Sequence, residues 1–257
     1  MAVVWTLAFA WAGGGLVSWR TLLLVALVTW CAYVTDRLLD ARRELRECAH
    51  HKLQERHFFH WRHRGVLLPL VVIGAMIALG IFVLAAPAMP HEKDSLLAAA
   101  ALAYFWGVHS ERRPLFLRWP RSFPGKELLV SVLFTAGCAA AALEGASWLA
   151  AWVGVVGFAG LAWLNCSAIA CWESGGVSTF VRVFALAMAG LEIVLSQFPV
   201  AANPRSAALL VAAGMSALLL ALLDGVRARM TARALRAAAD LALLTPVPLL
   251  ILAWNLR

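Results

Sequence analysis

Apolar residues in this chain come in long runs, and the polar residues between them come in short clusters. The stretch "TLLLVALVTWCAYVTD" is typical, too uniformly apolar for a helix lying on a soluble core. A membrane-crossing helix needs about 20 apolar residues at about 1.5 Å per residue. Such runs recur near 2–19, 21–39, 66–88, 95–109, 127–145, 148–172, 178–198, 206–224 and 234–255. The breakers "APAMPHEKD", "RRPLFLRWPRSFPGKE", "ESGGVS" and "FPVAANPRS" fall in the gaps. The pattern predicts an all-α polytopic membrane protein of about nine spans, a single transmembrane domain over 1–257. The opening "MAVVWTLAFAWAGGGLVSW" has no basic residue before Arg20, which reads as a first span rather than a cleaved leader.

Composition reinforces this. Hydrophobic residues make up 63% of the chain and charged residues 14%, against about 45–50% and roughly 25% in a soluble domain. The net charge of +8 does not point to nucleic acid, because the basic residues lie in the gaps between apolar runs, where they set orientation and meet lipid headgroups. Eighteen of the 22 Lys and Arg fall after the second, fourth, sixth and eighth runs, leaving Arg20, Lys93, Arg205 and Arg257 for the other side. The positive-inside rule then places those exits and the N-terminus in the cytoplasm, as in a bacterial inner-membrane protein. The five cysteines form no extracellular framework, so no disulfide is expected.

Two polar clusters sit on the cytoplasmic side. At the end of the second run, "YVTDRLLD" places Asp36 and Asp40 on one helix face, about 6 Å apart along the axis. Like charges at that spacing repel, more so beside lipid, and Mg²⁺ would relieve the repulsion while taking substrate phosphates as further ligands. The same residues also suit a solvated helix end, paired with Arg37, Arg43 or Arg46. The sixth run ends "LAWLNCSAIACWESGG", with Asn165 and Glu173 about 12 Å apart along roughly one face. Asn165 serves equally well in an interhelical hydrogen bond.

Spans with acidic motifs at the cytoplasmic ends of the second and sixth resemble the UbiA superfamily of intramembrane prenyltransferases. The first motif reads Ala32-x-x-x-Asp36-x-x-x-Asp40 and keeps the family's two aspartates without its leading Asn. The second reads Asn165-x-x-x-Ile169-x-x-x-Glu173, with a single carboxylate. The resemblance implies a Mg²⁺-dependent transfer of a prenyl group from an isoprenyl diphosphate to a lipophilic acceptor, with Asp36, Asp40, Asn165 and Glu173 holding the metal. Tyr33, Arg37, Lys126 and Arg182 are candidate substrate contacts, the latter two alternatively orientation anchors. The weakened second motif leaves open a non-catalytic relative that binds an isoprenoid or lipid headgroup.

Three further segments carry expectations. Asp240, about two turns into the last run, either serves the acceptor, orients Lys126 or an arginine, or pairs with Arg236 one turn away. The segment 41–64 includes "RHFFHWRH" and predicts an amphipathic lid in the headgroup layer. Cys48, His50 and His51 lack the spacing of a zinc site. "DGVRAR" at 224–229 opens like the CDP-alcohol phosphotransferase motif, but Ala221, Ala238 and Ala242 replace the carboxylates that chemistry needs, and it is set aside as chance.

Overall fold

The computed structural model describes residues 1–47, 55–85, 125–142, 147–173, 179–199 and 203–255. The helices are α1 (Ala2–Ala12), α2 (Trp19–Glu47), α3 (Glu55–Arg62), α4 (Arg64–Ala85), α5 (Gly125–Ala142), α6 (Trp148–Glu173), α7 (Thr179–Leu195), α8 (Pro204–Val226), α9 (Ala232–Ala242) and α10 (Pro246–Asn255). Among the described residues there is no strand, and five helical stretches are long and apolar enough to cross a membrane. The run expected at 95–109 and the Cys48, His50 and His51 cluster lie outside the described residues.

The chain divides into two compact units, one of residues 1–17 with 121–257 and one of residues 18–120. In the second unit α2 pairs with α4, and the short α3 folds back on α2, bringing His60 edge-on to Tyr33. The Cys31 thiol reaches the Val71 carbonyl at 3.6 Å, and Gly74 leaves the space for that close approach. Much of α4 is exposed: Val66, Val72, Met76 and Val83 are more than half accessible. Such a surface is costly in water and ordinary in lipid.

The first unit packs α5, α6, α8 and α10 around α1, with α7 against α8. Trp5, Thr6, Ala8 and Phe9 of α1 are essentially inaccessible, and Trp5 stacks on Phe158 of α6 at 4.1 Å, with Phe9 and Phe134 against the same ring. The span expected over 2–19 is corrected here. The helix stops at Ala12 because three glycines follow: Gly14 takes φ +75°, and the Gly13 and Gly15 amides bond to Phe9 and Ala10 carbonyls. A left-handed residue closing on earlier carbonyls is how glycine ends a helix. Asn203 and Arg205, at the start of α8, donate to the Ala12 and Trp11 carbonyls, satisfying acceptors that the helix leaves open.

The last expected span, 234–255, coincides with a stretch long and apolar enough to cross, Ala232–Trp254. Within it α9 and α10 are joined by a turn at 243–245, where Pro246 supplies no amide to continue the ladder. The Leu243 carbonyl at the turn accepts from the Trp5 indole at 2.9 Å, and the Thr245 hydroxyl ties the turn to α8 by donating to the Ala212 carbonyl at 2.7 Å. Irregular backbone at membrane depth persists only where protein satisfies it.

Candidate functional site

The strongest cluster of charge in the first unit gathers where α6 and α8 end and where α7 and α9 begin. α8 carries one carboxylate, Asp224, at the close of a long apolar run, and it is 1% exposed. Its Oδ1 accepts from the Trp172 indole at 2.9 Å and from the Arg227 guanidinium at 3.2 Å. Its Oδ2 accepts from the Arg182 guanidinium at 3.2 Å through both Nε and Nη2. A buried carboxylate is tolerable only when paired and hydrogen-bonded, and Asp224 is both. It ties the end of α6 and the first turn of α7 to its own helix.

Past α8 the chain makes a 3₁₀ turn over Arg227–Arg229, and the Thr231 hydroxyl caps α9 by accepting from the Ala234 amide. That start places Arg236, one turn further on, against the Glu173 carboxylate at the end of α6. A cavity of about 260 Å³ opens between these elements. Arg227, Arg236, Glu173 and Trp172 supply its polar lining, and Ile169, Met230 and Leu235 its apolar lining.

The expected site residues divide between the units. In the first, Asn165 is 5% exposed and its amide hydrogen-bonds to the Asp240 carboxyl, while Glu173 pairs with Arg236. Both members of the second motif therefore engage α9, with partners four residues apart. Arg182 is held by Asp224. Lys126 belongs to the first turn of α5, and its side chain lies outside those described. In the second unit Arg37 lies between the two aspartates of the first motif, 3.5 Å from Asp36 and 3.9 Å from Asp40, with its guanidinium 5.3 Å from the Tyr33 ring centre.

Within neither unit do three or more described His, Cys, Asp or Glu side chains gather as metal ligands would. Asp36 with Asp40, Glu173 and Asp224 are instead each faced by arginine. Guanidinium-bound oxygens are poor ligands for Mg²⁺, which needs oxygens free to enter a near-octahedral shell. In the first unit, where Arg227 and Arg236 line the cavity, the pattern fits the binding of an anion better than of a bare cation. Asp224 and Arg227 fall in "DGVRAR", set aside from the sequence as a chance match; Arg236 figured only as a partner of Asp240, and Trp172 was not singled out. The signal was there: Asp224 is the lone carboxylate of α8, with an arginine three residues on.

No protein-family model, curated protein or solved structure matches this chain.

Proposed function

We propose that this is an integral membrane protein that holds the phosphate head of an isoprenoid or other lipid in the α6–α8–α9 cavity, with that end in the cytoplasm. One observation carries the reading: two arginines line an indole-walled cavity, and each is pre-oriented by a carboxylate. Arginine's planar fork suits phosphate, and fixing it beforehand removes part of the entropic cost of binding. The eighteen Lys and Arg in the even-numbered gaps support the orientation. The test is binding to the purified full chain in phosphate-free detergent. Farnesyl-tailed phosphates are expected to bind, and Arg236→Gln to weaken them about tenfold, the worth of one charge-assisted hydrogen bond. Unchanged affinity in that variant would remove the cavity from the reading.

The second reading is prenyl transfer in a UbiA-like bundle, with the layout of acidic motifs on the second and sixth spans in its favour. Asp36 and Asp40 share a face of α2 at 14% and 18% side-chain exposure, so both remain within reach of a ligand. Here Mg²⁺ would neutralise the charge on the departing diphosphate, and the chain's own arginines would orient it. Release of pyrophosphate from an isoprenyl diphosphate in the presence of a lipophilic aromatic acceptor is the measurement that favours this reading over simple binding.

A further inference from the structure

The charges around the cavity determine what kind of head it takes. Arg227 and Arg236 line it together with Glu173, and Asp224 stands behind the wall holding Arg227 and Arg182. Three arginines against two carboxylates leave one positive charge. Resting on the reading that a phosphate head binds here, we propose that the cavity selects a head with a single negative charge, a phosphodiester, and that Asp224 is the residue that sets this selectivity.

The physical reason is a balance between desolvation and attraction. A phosphodiester brings one negative charge, which the cavity matches. A bare isoprenyl diphosphate brings about three, since a terminal phosphate alone carries close to two near neutral pH. The unmatched charge would be desolvated beside Glu173 and Asp224 without compensation. Asp224 cannot itself touch the ligand, because it is 1% exposed and its oxygens already take Trp172, Arg182 and Arg227. It acts through the arginines, by orienting them and cancelling part of their charge. Size points the same way: about 260 Å³ holds a head and its first carbons, whereas pockets that enclose whole drug-sized ligands run from about 300 Å³ upward. Ile169, Met230 and Leu235 give those first carbons an apolar exit, so the head belongs to an amphiphile.

The test uses the purified full chain in maltoside detergent with EDTA and a matched pair of probes, farnesyl methyl phosphate and farnesyl diphosphate. The singly charged probe should bind at least about tenfold more tightly, and Asp224→Asn, which keeps an acceptor for Trp172 and adds one positive charge, should narrow that preference about tenfold. Asp224→Glu should restore it, which a merely structural loss would not allow. Tighter binding of bare diphosphate by the wild-type chain overturns the inference, and this result needs no variant to fold. If neither probe's affinity responds to Arg236→Gln, the cavity reading itself has failed, a different outcome. Short-chain phosphatidylglycerol and dimethyl phosphate identify the source. Binding of the former alone is expected, and equal binding of dimethyl phosphate overturns the claim that the ligand is an amphiphile.

Discussion

Asp36 with Asp40 in α2 and Asp224 in α8 are two solutions to the same difficulty, a carboxylate where an apolar helix ends. In α2 the compensation is local: Arg37 lies in the same turn and reaches both acids at 3.5 and 3.9 Å, with all three side chains partly accessible. Asp224 is instead sealed from solvent and joins three helices through Trp172, Arg182 and Arg227. A charge beside water can be re-solvated when its partner is lost, but a sealed one cannot. The first arrangement is therefore partly open to solvent and to a ligand, while the second is structural as well as electrostatic.

The sharpest way to break that comparison is to remove Asp224. Asp224→Ala leaves Arg182 and Arg227 facing each other and strips the Trp172 indole of its acceptor. The expected loss is about 3–5 kcal/mol of stability, read as a lowered midpoint in mixed-micelle denaturation. A loss below about 1 kcal/mol would show that water replaces the carboxylate and that the two sites do not differ in kind.

Glu192 of α7 extends the comparison to a buried acid that no described arginine pairs with. It is 2% exposed, and among the described residues neither of its oxygens has a hydrogen-bond partner. It fits because α6 presents Gly157, where an added Cβ would come within 2.7 Å of its Oε1, and because Gly214 of α8 lets the helices approach. Gly157→Ala must push the carboxyl aside in a closed space, at an expected cost of about 1–3 kcal/mol. Gly190→Ala on α7, where a Cβ meets nothing within 4 Å, is the control and should be silent in the same denaturation assay.

What was legible beforehand follows the same division between local and long-range. Periodicity and composition located the start of α2 and both ends of α4 and α5 to α8 to within a few residues, because each is a continuous apolar run set off by local breakers; α2 runs on to Glu47, past the expected end at 39 and into the segment expected as a lid. They missed the end of α1, where "AWAGGGLVSW" still averages as apolar although its glycines close the helix at Ala12. The break between α9 and α10 was equally hidden, since Pro246 and Pro248 inside an apolar run read as a kink unless partners for the freed carbonyls are known. Only the fold supplies Trp5 for that role. For the site, the spacing of Asp36 and Asp40 was visible because it is a property of one helix. The importance of Asp224 was not, because two of its three partner residues lie 42 and 52 positions away in the chain.

The smallest expected effect on stability is the one that most sharpens the difference between the two acids. Asp36→Asn removes one charge from a cluster in which Arg37 still faces Asp40, and the amide can keep a hydrogen bond. The stability change should stay within about 1 kcal/mol, the scale of an exposed ion pair. Function provides the contrast. If the chain transfers prenyl groups, this nearly silent substitution should abolish pyrophosphate release while leaving phosphodiester affinity at the α6–α8–α9 cavity unchanged. If it only binds, neither quantity moves. A variant that loses both stability and phosphodiester binding would join the α2 acids to the same structural role as Asp224, and the distinction between a carboxylate held for a ligand and one held for the fold would no longer apply to this protein.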